Sequence, residues 1–227
     1  MNPLTAAPCA RTFGWSGYPI GHPPFAVSRE TWDMGTTALG RMAGDLEEVP
    51  VPASGGNWAM AWHRPGEAPP GQAHGANAFC VTQDGEVVLI STDGSRWGWP
   101  GGRPERGESW EDTLRREMLE EACAIVTEAR LLGFVRSRCL SGPEEGLVLV
   151  RSIWRADVTL LPWRPEYEIR FRRVVPAHEL AGHLWMEAGA APIYSRAARE
   201  AALALRRVSL PRRGAGRCRN PPGGTAR

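Results

Sequence analysis

The sequence contains no lysine, and every one of its 27 basic residues is an arginine. A nucleotide-binding P-loop, a Schiff-base enzyme and a lysine general base all depend on a lysine, so these three classes are excluded. The net charge is also small, at +2 for 227 residues, so no strong overall field favours nucleic acid or an anionic membrane surface. We therefore expect neither as a partner.

Long apolar runs and paired cysteines are missing as well. No stretch approaches the ~20 apolar residues that a membrane-spanning helix needs, and the first residues lack the apolar segment of a secretory signal. The five cysteines are scattered and form no CxxC pair, which fits reduced thiols better than disulfides or a zinc site. These absences favour a soluble, cytoplasmic protein.

Composition divides the chain into three parts. Residues 1–72 are rich in proline and glycine and weakly periodic, and we interpret them as an N-terminal extension of undetermined structure, which could add a substrate-side wall or a homodimer contact. Residues 73–207 carry clear strand and helix patterns and form the predicted folded domain. Residues 208–227 are rich in proline, glycine and arginine, and we expect a disordered basic tail there.

Local patterns predict the order of the elements. In the extension, Leu39, Met42, Leu46 and Val49 are spaced for one short helix, whereas Trp58, Met60 and Trp62 alternate as in a strand. Two strands joined by the turn Asp84-Gly85 open the domain. The full predicted order is strands 78–83 and 86–91, helix 109–124, strands 131–138, 147–158 and 168–175, and helices 178–185 and 192–207.

The predicted helix 109–124 carries the clearest candidate chemistry, and Ser109 and Asp112 are spaced as a capping box at its start. Its apolar residues form one stripe at i, i+4 spacing: Trp110, Leu114, Met118 and Ala122. Its acidic residues Glu117, Glu120 and Glu121 fall within an arc of only ~100°, partly beside that stripe. Such carboxylates repel one another, and a divalent cation removes the penalty. Mg²⁺ suits this set because it prefers hard oxygen ligands.

A second interpretation of the same helix is a charged surface helix with ion pairs. Arg116 and Glu120 are four residues apart and can simply pair with each other. The helix alone does not decide between the two interpretations.

The spacing around the helix resembles the Nudix box of the MutT-like hydrolases, whose form is G, five residues, E, seven residues, REUxEExGU, with U a bulky aliphatic residue. Seven positions match this form: Gly102, Glu108, Arg116, Glu117, Met118, Glu120 and Glu121. The lead-in Trp99-Pro100-Gly101 is also similar to the family's. The box departs from the family at Cys123, which stands where the family has a glycine. A cysteine in the left-handed conformation would cost on the order of 1 kcal/mol, or the helix would run on through Ile125.

The resemblance implies an α/β/α sandwich with a mixed β-sheet and a role for each matched residue. Glu117, Glu120 and Glu121 would bind Mg²⁺ or Mn²⁺, and one of them would activate water. Arg116 would orient a glutamate and Glu108 would support the site, while the backbone carbonyl of Gly102 would face the metal.

Several residues outside the helix are candidates for substrate binding. Arg96, Arg103 and Arg138 could hold phosphate oxygens, although the sequence favours a plain surface role for each of them. Trp97 could stack on a nucleobase, with core packing as the alternative. Glu166 and Glu168 are candidates for a general base beyond the box.

The function implied is metal-dependent hydrolysis of a phosphoanhydride in a nucleoside diphosphate linked to another moiety, with a small nucleotide as substrate. Two alternatives remain: a Nudix-fold sensor that binds a nucleotide without cleaving it, and an inactive interaction module. The substrate markers of some subfamilies are missing. Cys139 stands where ADP-ribose hydrolases often have a proline, and residues 140–142 carry no tyrosine of the dinucleoside polyphosphate type.

Overall fold

The structure is a computed structural model that describes residues 42–187 and 189–208, without the side chains of Ala181 and of residues 202–208. Its strands are β1 (Val49–Ala53), β2 (Gly56–His63), β3 (Gln72–Val81), β4 (Glu86–Ser91), β5 (Gly101–Gly102), β6 (Ala124–Ser141), β7 (Val148–Leu160) and β8 (Phe171–Pro176). Its helices are α1 (Trp110–Ala122), α2 (Leu180–His183), which follows a 3₁₀ turn (Ala177–Glu179), and α3 (Ala191–Val208). Every strand and helix predicted between residues 78 and 207 is present, with β6 longer than expected.

The strands form one mixed sheet in the order β1-β2-β6-β7-β3-β4-β8, and β5 pairs with β3. The pair β3–β7 is parallel, and all other pairs of named strands are antiparallel. Each face of the sheet has its own apolar core. Leu114 and Met118 of α1 pack with Val88 and Trp154 on one face, and Ile193 of α3 packs on the other. The predicted α/β/α sandwich with a mixed sheet is confirmed.

Strands β1 and β2 belong to this sheet, although the sequence assigned them to an extension. β2 pairs with β6 along seven residues, and Trp62 of β2 is fully buried in the core beneath α3. The side chain of Trp62 lies against Gly133 of β6, where a Cβ would overlap the indole ring. The alternation of Trp58, Met60 and Trp62 thus correctly predicted a strand, one that completes the core of the domain.

The short helix predicted from Leu39, Met42, Leu46 and Val49 is wrong for the part that the structure describes. Residues 42–48 contain no helix, and Val49 begins β1. Leu46 has a positive φ of 61° and its N–H donates to the carbonyl of Trp62 at 2.9 Å, so the segment runs beside β2 instead. Leu39, the rest of the extension before residue 42 and the tail from residue 209 lie outside the described residues.

None of the described helices is long and apolar enough to cross a membrane.

Candidate active site

Helix α1 begins at the predicted capping box. The Ser109 side chain accepts from the Asp112 N–H at 3.1 Å, and the Asp112 carboxylate accepts from the Ser109 N–H at the same distance. The predicted apolar stripe is confirmed, because Leu114, Met118 and Ala122 are fully buried against the sheet. Since α1 is held in this rotation, Glu117 and Glu121 come to lie at the buried edge of the helix.

The end of α1 resolves the question raised by Cys123. Cys123 adopts the left-handed conformation, with φ 45° and ψ 53°, and its N–H donates to the carbonyl of Met118. The helix therefore stops where the family's glycine would end it and does not run on through Ile125. Arg172 of β8 donates to the carbonyls of Ala122 and Cys123 at 2.8 and 3.2 Å. A cation that binds the last carbonyls of a helix stabilises its C-terminus.

Arg116 is the centre of an ion-pair network. Its guanidinium contacts Glu108 at 2.7 Å, Glu117 at 2.7 Å and Glu120 at 3.2 Å. It also donates to the carbonyl of Arg103 at 2.9 Å, which ties α1 to the loop after β5. The hydrogen bond from Arg116 is the main reason that the pKa of Glu108 falls to about 2. The Arg116–Glu120 pair of the surface-helix interpretation is thus present, as one part of a larger network.

Glu121 is the most deeply buried carboxylate of the group, at 4% exposure. Burial raises the pKa of Glu121 well above its ordinary value, and the charges of Glu117, Glu168 and Glu120 add to the effect, while a hydrogen bond from the Gly101 N–H at 2.8 Å opposes it. Burial likewise raises the pKa of Glu117 against the influence of Arg116. The site therefore concentrates negative charge where water is scarce.

Gly101 and Gly102 bring the backbone of β5 directly against these carboxylates. A Cβ at Gly102 would overlap the Glu117 carboxylate, and one at Gly101 would overlap the Ala76 carbonyl and the Asn77 side chain. Gly101 also has a positive φ of 152°. Only glycine permits this close approach, so the pair of glycines serves the geometry of the site.

A cavity of about 160 Å³ is lined in part by these two glycines. Its lining includes the polar residues His74, Asn77, Arg103 and Arg151 and the apolar or aromatic residues Val51, Trp58, Met60, Trp185 and Tyr194. Two serines and two carboxylates also line it: Ser54, Ser137, Glu144 and Glu187. None of Glu117, Glu120 and Glu121 lines this cavity. The link between carboxylates and cavity is the backbone of Gly101 and Gly102, which contacts both.

The cavity is lined by two guanidinium groups, Arg103 and Arg151, and by two carboxylates, Glu144 and Glu187. Burial, together with the charges of Arg151 and Arg103, lowers the pKa of His74 to about 3. His74 is therefore neutral at physiological pH beside two guanidinium groups. Such a group of donors suits the oxygen atoms of a phosphate.

The residues proposed from sequence for substrate binding lie in different environments in the structure. Arg103 lines the cavity, whereas Arg138 pairs with Glu48 on the surface at 2.9 Å and Arg96 pairs with Asp93 at 3.1 Å. Trp97 is buried in the core with Arg173 over its ring, the environment that the core-packing alternative describes. Glu166 is exposed in the loop before β8.

Glu168, the second base candidate of that loop, acts electrostatically on both Glu117 and Glu121 and so lies near the carboxylates. Sequence reasoning missed His74 and Arg151 in the cavity, because nothing in the local pattern of β3 or β7 distinguishes them from other polar strand residues. The alternation of Trp58 and Met60 indicated a strand in the sequence, but it did not indicate that these side chains line a cavity.

Solved structures similar to this chain include Nudix-type enzymes. A mutant of the pyrophosphohydrolase BsRppH from Bacillus subtilis is 22% identical over 54% of this chain and 73% of its own, with a TM-score of 0.45. The MutT protein from Bacillus halodurans is 21% identical over 53% and 77%, with a TM-score of 0.42. MutT from Methanosarcina mazei Go1 is 18% identical over 59% and 98%, with a TM-score of 0.44. At these identities the likeness concerns the fold alone.

No curated protein matches the sequence significantly. The family model for the NUDIX domain matches residues 71–197, which include β3, the box helix α1 and the start of α3. Enzymes of this family generally use divalent metals. Because the match covers more than half of the chain, the protein belongs to the NUDIX family and is a Nudix hydrolase, with the general pyrophosphohydrolase activity of that family.

Proposed function

We propose that the protein hydrolyses a phosphoanhydride bond in a nucleoside diphosphate linked to another moiety, with Mg²⁺ or Mn²⁺ as cofactor. One observation carries this proposal: buried, crowded carboxylates on α1 contact the glycines of β5, and those glycines also line a cavity that contains Arg103, Arg151 and His74. Negative charge for a cation and positive groups for phosphate are therefore joined by the same backbone segment.

The donor chemistry of the carboxylate group fits a hard divalent cation. Glu108, Glu117 and Glu120 surround Arg116, while Glu121 and Glu168 add further negative charge. Among residues 42–187 and 189–208, no three acidic, histidine or cysteine side chains converge closely enough to coordinate one cation as they stand. We infer that a bound cation replaces Arg116 as the counterion of Glu117 and Glu120, and that Glu121 supplies the buried third carboxylate.

When bound, such a cation neutralises phosphate oxygens and lowers the pKa of water for attack on phosphorus. The protein's own residues do the positioning. Arg116 holds the glutamates and the loop after β5 in one arrangement through its hydrogen bonds to Glu108 and to the Arg103 carbonyl. Arg103 and Arg151 bind the phosphate oxygens, and His74 donates from a neutral ring. Glu121 or Glu168 accepts the proton of the attacking water.

A sensor that binds a nucleotide without cleaving it, or an inactive interaction module, would not need these carboxylates. The pKa of Glu121 lies well above its ordinary value because of burial and like charges, so keeping Glu121 ionised costs the folded protein stability. A protein that only binds a ligand gains nothing from that cost. The carboxylates therefore favour the enzyme, and we propose a nucleoside triphosphate or a nucleotide sugar as substrate.

The substitution Glu121→Gln tests the proposed site. We expect it to lower kcat/KM by roughly a hundredfold or more, because a preorganised charge next to the reacting phosphate is lost. The measurement is phosphate or pyrophosphate release with Mg²⁺, with Mn²⁺ and with a chelator, on a panel of nucleoside triphosphates, nucleotide sugars, dinucleoside polyphosphates and coenzymes.

The matched control is Glu111→Gln, on the exposed face of α1 where Glu111 pairs with Arg115. It should leave activity unchanged, and thermal unfolding should show that both variants are folded. If Glu121→Gln kept wild-type activity, the carboxylates of α1 would not take part in the reaction, and the proposed site would be wrong. Cleavage confined to a non-nucleotide diphosphate would overturn the nucleotide part of the proposal, and tight binding without turnover anywhere would favour the sensor.

A further inference from the structure

The cavity extends beyond the part of the chain that defines the family. Val51, Ala53, Trp58 and Met60 line it, and all four belong to the hairpin β1–β2, which precedes the matched residues 71–197. The hairpin is held in place from both sides. β2 pairs with β6, and the backbone of Gly189, just before α3, packs against Pro50 and Val51 of β1.

The phosphate end of the cavity is fixed near β3 and β5. A Cβ at Gly75 would lie 3.4 Å from the Gly102 carbonyl oxygen and 3.6 Å from Cγ of Arg151. Gly102 contacts the carboxylate group, and Arg151 is one of the two guanidinium groups beside His74. The end of the substrate that is hydrolysed therefore belongs at β3.

The hairpin lies at the opposite end of the same cavity. Met60 of β2 pairs with Ser137 of β6, and Ser137 pairs with Leu149 of β7, so these three cavity residues form one row across the sheet. Leu149 in turn pairs with Gln72 of β3. At ~4.8 Å between strands, β3 and β2 are about 14 Å apart. This span accommodates a nucleoside that extends from its phosphates.

The hairpin contributes mainly apolar and aromatic side chains to the cavity, together with Ser54 of its turn, and Ser137, Glu144 and Glu187 line the cavity as well. Trp58 is fixed by a hydrogen bond from its indole N–H to the Ala53 carbonyl at 3.2 Å, and Trp185 and Tyr194 face the cavity from the C-terminal segment. Flat aromatic groups bind well between such side chains because they bury apolar area and stack.

We propose that the β1–β2 hairpin is the specificity element of the enzyme, and that it forms the wall against which the nucleobase of the substrate lies. This inference rests on the proposed hydrolysis of a nucleotide. It identifies the part of the chain that selects among the bases. Residues outside the family-defining segment then decide the substrate, while α1 and β5 carry the chemistry.

The substitution Ala53→Leu tests the hairpin, because it adds volume to the wall at a partly exposed position. The substrates are ATP, GTP, CTP and UTP, together with ADP-, GDP- and UDP-glucose, so that only the base changes within each set. We expect kcat/KM to fall roughly tenfold more for purine than for pyrimidine nucleotides, mainly through KM, because the larger base loses more room. Met60→Ala, which enlarges the wall, should shift the purine-to-pyrimidine ratio in the opposite direction.

The matched control is Pro52→Leu, on the exposed face of the same strand and outside the cavity, which should leave the ratio unchanged. Thermal unfolding verifies that each variant is folded. If wild type cleaves nucleotides and both cavity variants keep its base ratio, the hairpin does not select the base, and the proposed function still stands. If wild type cleaves no nucleotide of either set, the proposed function fails, and this inference fails with it.

Discussion

Cys123 occupies a backbone conformation that usually requires glycine, and its neighbours explain how it does so. The φ of 45° places its Cβ close to the following carbonyl, which costs roughly 1–2 kcal/mol for a non-glycine residue. Arg172 binds the carbonyls of Ala122 and Cys123 from β8, and the Cys123 thiol contacts the Arg164 carbonyl at 3.4 Å. Contacts from distant residues therefore hold the end of α1 where local preference is weak.

Replacing Cys123 with glycine and with alanine measures this strain. Both variants lose the thiol contact, but only glycine relieves the left-handed backbone, so Cys123→Gly should be more stable than Cys123→Ala by about 1 kcal/mol. Urea denaturation of the two variants gives the difference directly. Equal stability of the two would mean that the backbone at this position carries no strain.

The lowered pKa of His74 predicts that the folded protein loses stability in mild acid. Its pKa in the folded protein is about 3, below the 6.5 of an unperturbed histidine, so the unfolded state binds the proton more readily. The contribution of the neutral ring is fully present above pH 6.5 and is lost as the pH falls from there towards 3. His74→Gln should therefore lose less stability than wild type between pH 7.5 and pH 5.

The measurement is the midpoint of thermal unfolding at both pH values, with the exposed His178→Gln as the matched control. The control should retain the pH dependence of wild type. If wild type and His74→Gln lost the same stability between the two pH values, a group other than His74 would cause the loss in acid.

The carboxylates of the site were predictable from sequence because their positions are local. Glu117, Glu120 and Glu121 share one helix, and helical geometry alone places them on one arc. His74 and Arg151 were not predictable, since they meet only because β3 and β7 pair in parallel. Residues distant in sequence come together through sheet topology, and single-sequence spacing does not report that topology.

At the scale of elements, the segment around the hairpin β1–β2 likewise contains one part that local sequence predicted and one part that it did not. Alternation correctly predicted β2, because period-2 patterning is a property of the strand itself. The helix predicted before it was wrong for the described residues. Leu46 of its apolar spacing is 65% exposed, and backbone hydrogen bonds hold the segment instead: the Leu46 N–H donates to the Trp62 carbonyl of β2 at 2.9 Å, and the Ala43 N–H donates to the Pro192 carbonyl of α3 at 3.2 Å. Tertiary contacts overrode a weak helical pattern, as they often do in short segments.

Deletion of the hairpin tests whether the folding unit begins near residue 42 or at residue 73, where the sequence places it. The sequence predicts that residues 73–207 fold cooperatively. The burial of Trp58, Met60 and Trp62 predicts in addition that a chain of residues 42–207 is more stable, by at least about 3 kcal/mol, the cost typical of deleting one buried tryptophan side chain.

Thermal and urea unfolding of the two chains provides the comparison, with the full chain as reference. If the unfolding midpoints of residues 42–207 and 73–207 were equal, the hairpin would add no stability, and residues 73–207 would fold independently of it.

For the whole molecule, the class of fold was implied by the family resemblance that the box carries, and the predicted order of strands and helices was compatible with it. It did not indicate the order of strands in the sheet. Neighbours such as β2 and β6 are far apart in the chain, and their pairing depends on Gly133, whose missing side chain leaves room for Trp62. Such complementarity is a property of two surfaces together and leaves little trace in either strand alone.

The composition of β1 has a consequence for the protein at high concentration. β1 is the outermost strand of the sheet, and Pro50 and Pro52 alternate with the residues whose N–H groups can bond to β2. Since proline has no N–H, the outer side of β1 lacks donors at these two positions, and a strand from another molecule finds no continuous ladder to extend. The same short strand that closes the base-binding wall thus protects this edge of the sheet from edge-to-edge aggregation.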